Sequence, residues 1–191
     1  MPVLKTAGMK RPIAFRTTRA DVYFVDKGLA QPYQDYLIAN KQRLAPLEPL
    51  RRPEYYELAN IKEQMEIMDN DFILKRGLYL LFTPKDSPQV IGSINFSGFM
   101  YGVFQAGYVG FSIDQDFEGQ GMMAEVLQAS LNYVRQHYGL HRIMANHLPH
   151  NERSAALLHK LGFQKEGYAK SYLKINGQWQ DHVLTALVFE D

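Results

Sequence analysis

The stretch Phe117-Glu118-Gly119-Gln120-Gly121-Met122-Met123 decides how the rest of the chain reads, because it joins a strand to a helix through two closely spaced glycines. Upstream, residues 104–113 are rich in aromatic and β-branched side chains and carry no charge, as a strand buried on both faces does. Downstream, Met123, Leu127, Leu131, Val134 and Tyr138 recur every three or four residues, the apolar stripe of an amphipathic helix. At such a junction the first N–H groups of the helix and the positive end of its dipole point outward, and glycine lets an anion approach the backbone. The stretch therefore has the form of a pyrophosphate-binding loop, although an ordinary connecting turn has the same composition. It lacks the Lys-Ser/Thr ending of a nucleotide P-loop and the glycine spacing of a dinucleotide fingerprint, so nothing in it favours ATP or NAD.

Working outward, a strand is expected near residues 21–25 and a helix over 29–40, ended by the two prolines of Pro46-Leu47-Glu48-Pro49-Leu50. A long helix is expected from Pro53, with Leu58, Ile61, Met65, Met68 and Phe72 on one face. Residues 78–82 and 90–96 read as strands joined by Lys85-Asp86-Ser87-Pro88, and with 104–113 they make three antiparallel neighbours. Beyond the glycine loop and its helix come a short strand at 142–147 and a helix at 151–161 closed by Gly162. Two final strands, 163–173 and 178–189, turn at Asn176-Gly177, a strong hairpin signal. The class is α+β.

A length of 191 residues with 46% hydrophobic content suits one domain over residues 1–191. No stretch resembles a signal peptide, and the apolar run at 78–82 is too short to cross a bilayer, so a soluble cytoplasmic protein without membrane contact is expected. The chain has no cysteine, which excludes disulfides, thiolate nucleophiles and sulfur-ligated zinc. Five of the six histidines fall between His137 and His159, but neither His137/His141 nor His147/His150 has the helical spacing of a zinc site, and no metal is expected. The net charge of +1 hides a basic arm. Residues 1–20 hold Lys5, Lys10, Arg11, Arg16 and Arg19 and no acid, leaving −4 for the remainder. Such an arm could touch RNA weakly, though solvated surface charge explains it as well and the near-neutral total is not that of a dedicated nucleic-acid binder.

The glycine loop, its helix, the short strand and a second helix entered through Asn151-Glu152-Arg153-Ser154 and left through Leu161-Gly162-Phe163 together resemble the GNAT acetyltransferase family. Within it, His141-Arg142-Ile143-Met144-Ala145-Asn146, Pro149-His150-Asn151, Glu166-Gly167-Tyr168-Ala169-Lys170, Gly177-Gln178-Trp179 and Asp181-His182-Val183-Leu184-Thr185 resemble the enzymes that acetylate an amino-terminal alanine of a ribosomal protein. The likeness is dense in the second half; the first half matches in outline, as in Leu44-Ala45-Pro46-Leu47-Glu48-Pro49. The resemblance implies a mixed, mostly antiparallel sheet of about seven strands flanked by helices, with two splayed central strands that receive the pantetheine arm of acetyl-CoA. It assigns Phe111 and Ile113 to the pantetheine amides, Gly119, Gln120, Gly121, Met122 and Met123 to the pyrophosphate, and Asn146, Asn151 and Ser154 to the cofactor side. Asn151 reads equally well as a helix N-cap.

Three positions depart from the wider family. Glu118 stands where glutamine or arginine is usual, and a carboxylate aimed at pyrophosphate would repel it, so the side chain is expected to point away. Met123 replaces a small residue but keeps its N–H. Leu158 occupies the place of a tyrosine that protonates the leaving thiolate in many relatives, and leucine cannot donate. Ser154 becomes the leading donor, with Tyr168 and Tyr172 as further candidates from the last strands. Each also reads as a packing residue. Asp181 and His182 could meet the acceptor, although surface and hairpin packing explains them too. An α-amine with a pKa of about 8 is roughly two hundred times more available than a lysine at about 10.4, which fits a chain in which no strong base announces itself. The activity implied is direct acetyl transfer in a ternary complex to the α-amine of a ribosomal protein. Acetylation of an antibiotic or polyamine, and non-catalytic binding of acetyl-CoA or the ribosome, remain alternatives.

Overall fold

The computed structural model describes residues 13–190. Eight strands form one sheet in the order β1-β2-β3-β4-β5-β6-β8-β7, all neighbours antiparallel except β5 and β6. The strands are β1 (Ile13–Arg16), β2 (Ala20–Phe24), β3 (Leu78–Pro84), β4 (Gly92–Met100), β5 (Ala106–Ile113), β6 (Arg142–Met144), β7 (Gln164–Ile175) and β8 (Gln178–Val188). The helices are α1 (Ala30–Leu44), α2 (Leu58–Ile73), α3 (Met122–Tyr138) and α4 (Glu152–Lys160).

The β3 alternation shows why the sheet carries helices on both faces. Leu78, Leu80 and Phe82 enter a core with Val126, Leu127, Leu131 and Val134 of α3 and Leu158 of α4, whereas Leu81 packs with Tyr33, Tyr36 and Leu37 of α1 and Ile61 and Met65 of α2. At Asn176-Gly177 both residues have positive φ, 45° and 80°, as the tight hairpin expected there requires.

Part of the basic arm, Ile13–Arg16, is the first strand and pairs with β2, which makes eight strands among the described residues. Other expectations need correction. Arg16 is spent on Asp21 and Arg19 on Glu125, so neither is a free arm charge; Lys5, Lys10 and Arg11 lie outside the described residues. The helix expected from Pro53 is two elements, a 3-10 turn at Pro53–Tyr56 and then α2, broken by Glu57 in extended conformation (ψ 138°). Nor is the strand before the glycine loop buried throughout: Phe104 and Gly110 are exposed and Phe111 is half-buried.

Candidate active site

β5 and β6 pair only from Ala106↔Arg142 to Tyr108↔Met144, and then part. The Asp114 N–H donates to the Ile91 carbonyl. With the β4 register of Ser112↔Ser93 and Gly110↔Asn95, strand alternation turns the peptide groups of 110, 112 and 114 toward β4. Those of Val109, Phe111 and Ile113 therefore face the other way, toward β6. The same parity is seen where the strands still touch, since the Gln105 carbonyl accepts from His141 and Arg142 N–H. On the opposite side Ala145 and His147 bond to Thr185 and Val183 of β8, which leaves the Asn146 peptide facing the gap. Backbone groups so placed need partners. The splay thus leaves the peptide groups of Phe111 and Asn146 and the N–H of Ile113 facing the gap.

The glycine loop lies at the open end of this gap. Asp114 Oδ1 accepts from Asp116 N–H (3.0 Å) and caps a 3-10 turn at Gln115–Phe117 that leads into the loop. Gly119 and Gly121 have φ of 72° and 75°, a conformation that side chains with a Cβ avoid, and Gly119, Gln120 and Gly121 are exposed. Met122 and Met123 begin α3 with buried side chains, so the bulk of Met123 goes into the core while the first helix N–H groups remain at the surface. Arg19, from the turn between β1 and β2, donates to the Gln120 carbonyl (2.8 Å) and to Glu125 (2.7 Å), which latches the loop to the sheet edge.

Glu118 is neutralised by two guanidiniums. Arg43 of α1 donates to its Oε1 (2.6 Å), and Arg153 of α4 donates to its Oε2. Arg43 also donates to the Ile113 carbonyl (2.5 Å) and to Asn40 Oδ1 (2.8 Å), and Asn40 in turn donates to Asp114 (2.7 Å). One arginine therefore fixes both the end of β5 and the start of the loop, and it leaves Ile113 with only its N–H to offer. Nothing in local sequence marks Arg43, because its partners in the loop and in β5 lie 70 or more residues away.

Asn151 is the N-cap of α4, its Oδ1 accepting from Ser154 N–H (3.2 Å). Ser154 is half-buried in the first turn of that helix, and among the described residues its hydroxyl has no hydrogen-bond partner. Leu158, 2% exposed, is part of the core. From the other wall, β7 carries two extra residues between Ala169 and Leu173 relative to β8. Ser171 takes φ 48° there, and its N–H donates to Asp181 Oδ1 (2.8 Å). Such a bulge re-aims the neighbouring side chain. Tyr172 reaches the Asn146 amide (3.3 Å) and lies beside the His182 ring, with centroids 5.6 Å apart. Burial, and then the Tyr108 hydroxyl, raise the Tyr172 phenol above its usual value, so it stays protonated at neutral pH. Tyr168 instead donates to Asp181 Oδ2 (2.8 Å) and is half exposed. Asp181, held by Ser171 N–H and Tyr168, stays below the usual carboxylate range. Asn146 and Tyr172 thus come together, while Tyr168 braces the bulge. Tyr108 joins them although nothing in its local sequence singles it out.

Among the described residues no group of three or more His, Cys, Asp or Glu side chains stands close enough to hold a metal ion, and no helix is long and apolar enough to cross a membrane.

The profile of the acetyltransferase (GNAT) domain matches residues 34–164. The chain is 41% identical over 180 residues, covering 94% of itself and 92% of the relative, to the [ribosomal protein uS5]-alanine N-acetyltransferase of Escherichia coli (strain K12). Its fold is similar to the crystal structure of ribosomal-protein-S5-alanine acetyltransferase from Vibrio fischeri, with TM-score 0.90 and 32% identity over 94% of this chain and 98% of that one. It is also similar in fold to Mycobacterium smegmatis RimJ in complex with CoA-disulfide, with TM-score 0.83 and 23% identity over 88% of this chain and 81% of that one. With its glycine loop at the mouth of two splayed strands, the chain belongs to the GNAT family and is an N-acetyltransferase.

Proposed function

We propose that this chain transfers acetyl from acetyl-CoA to the amino-terminal α-amine of a ribosomal protein that begins with alanine or another small residue. The observation that carries this reading is the near full-length, 41% identical relative whose name states that activity. The site fits the cosubstrate: the loop at Gly119, Gln120, Gly121, Met122 and Met123 offers helix N-terminal amides to a pyrophosphate, and Phe111, Ile113 and Asn146 offer strand peptide groups to pantetheine amides. Asn151 and Ser154, at the start of α4, are assigned to the cosubstrate side.

With no cysteine in the chain, no acetyl-cysteine can form, and we assign direct transfer in a ternary complex. Attack of the neutral amine on the thioester carbonyl forms the amide carbon–nitrogen bond and breaks the carbon–sulfur bond; the nitrogen gives its surplus proton to water, and the departing thiolate takes one from a side-chain donor. Ser154 and Tyr172 are the donors we assign, with Tyr168 shaping the acceptor wall through Asp181. Ser154→Ala is expected to lower kcat by about tenfold or more, with the KM for acetyl-CoA unchanged, in steady-state assays. Unchanged turnover would remove Ser154 from this role and leave it to Tyr172. The reading places the enzyme in the cytoplasm with the ribosome, where Lys5, Lys10 and Arg11 would add weak contact with RNA.

The test is thiol release from acetyl-CoA with alanine-started peptides, internal-lysine peptides, polyamines and aminoglycosides. Selective turnover of the alanine-started peptide, with intersecting double-reciprocal lines, is the expected result. Preference for a polyamine or aminoglycoside would make it a small-molecule acetyltransferase. Tight acetyl-CoA binding with no turnover of any amine would make it a binding module.

A further inference from the structure

Glu48 has no role in the site as described so far. It follows a 3-10 turn (Ala45–Leu47) at the end of α1 and precedes Pro49, and its backbone is extended (φ −122°, ψ 162°), as a residue before proline prefers. Its carbonyl accepts the Asn176 N–H at 2.8 Å, so the connection between α1 and α2 is fastened to the tip of the β7–β8 hairpin. Leu50 packs near the adjacent Gly177. The α1 helix that leads into this connection lies beside the open part of β5: its Tyr36 hydroxyl donates to Ser112 (2.8 Å), between Phe111 and Ile113, and its Arg43 holds the Ile113 carbonyl.

The Glu48 side chain is 29% exposed, and its charge is barely answered. Arg51 Nε stands 3.9 Å away, but that guanidinium lies over the Tyr55 ring, 4.3 Å from its centroid, and among the described residues no donor is within hydrogen-bond distance of the carboxylate. The surroundings are otherwise phenolic, with Tyr33, Tyr36, Tyr55 and Tyr56 all within electrostatic reach, and Arg43 the remaining cation. Burial accordingly raises the carboxyl above its usual value. A half-buried carboxylate with no hydrogen-bond donor, set among phenol side chains, suits a compact cation. Asp181, the other acid near the hairpin, is unavailable by comparison, since Ser171 N–H and the Tyr168 hydroxyl occupy its two oxygens.

Resting on the peptide-acetylating reading above, we infer that Glu48 anchors the positively charged amino group of the acceptor on the α1 side of the splayed strands. The side chain selects for a free amino terminus before the proton is lost, and the cosubstrate site is not part of its task.

The experiment compares an alanine-started peptide with its des-amino analogue, which carries a propionyl group in place of alanine. Both are titrated by calorimetry into protein saturated with CoA, for wild type and for Glu48→Gln. Wild type is expected to bind the amino peptide about ten- to a hundredfold more tightly than the analogue. Glu48→Gln should lose most of that preference while binding CoA as wild type does, which also shows that the variant is folded. A preference retained in the variant, or an equal loss for both peptides, would overturn the assignment. If wild type binds neither peptide, the acceptor reading and Glu48 fall together; normal wild-type selectivity with an unchanged variant sinks Glu48 alone.

Discussion

Gly121→Val will weaken acetyl-CoA binding by about a hundredfold or more, as read by calorimetry. A Cβ at this position would meet nothing closer than the Arg19 guanidinium at 3.7 Å, so crowding is not the cause. The cause is conformation. Gly121 holds φ 75° and ψ 2° as the N-cap of α3, and a side chain in the left-handed region costs about 1–2 kcal/mol, more when β-branched. Relief of that strain turns the first peptide groups of the helix away from the place where an anion is held. Loss of even two charge-assisted hydrogen bonds, at about 1.5–3 kcal/mol each, exceeds the hundredfold threshold. Gly139 supplies the control, because it ends the same helix with φ 61° and open space around it. Gly139→Val should lower the melting temperature comparably and leave acetyl-CoA affinity unchanged. Equal affinity losses in both variants would show that helix stability, and not the loop, governs binding.

Arg43→Ala should raise the KM for acetyl-CoA by roughly ten- to a hundredfold, and unlike the glycine change it should act through two segments at once. The guanidinium joins Glu118 of the loop, the Ile113 carbonyl of β5 and Asn40 of α1. Without it, Glu118 keeps only Arg153, whose side chain is 80% exposed and whose pull is weakened by solvent. The Ile113 carbonyl, on the side of β5 that has no strand neighbour, loses its donor as well. About 2 kcal/mol of stability should go with these bonds, a fall of roughly 4–8 °C in melting temperature for a chain of this size. Arg43→Lys should recover only part of the loss, since a single ammonium cannot span three acceptors in a fixed fork. A rise in peptide KM with acetyl-CoA KM unchanged would contradict the assignment.

Both effects concern a loop whose position was legible from residue order, but whose seat was not. The run Phe117 to Met123 identifies itself because glycine, helix periodicity and the strand before it are local properties. The hairpin at Asn176-Gly177 and the N-cap at Asn151 are legible for the same reason, and the structure bears out both. Glu118 illustrates the opposite case. Its charge threatened repulsion, and the sequence offered only a side chain pointing away; the structure adds two arginines on separate helices that pair with it. No local pattern encodes a partner 75 residues earlier.

The splay follows the same division. Residues 104–113 read as a strand buried on both faces because uncharged, β-branched and aromatic composition reports average burial. It does not report which neighbour each peptide group faces. That is set by register with β4 and by the point past Met144 at which the chain leaves β5 while staying paired with β8. Sequence alone therefore determined the class of the fold, the position of the glycine loop between strand and helix, and the lack of any cysteine to carry an acetyl group, all consequences of local spacing and composition. Tertiary structure alone decided the pairing of Arg43 with Glu118, the meeting of Tyr172 with Asn146 across a bulge, and the seating of Glu48 against the hairpin. Those contacts join segments far apart in the chain, and only the packing of helices on a twisted sheet brings them within reach.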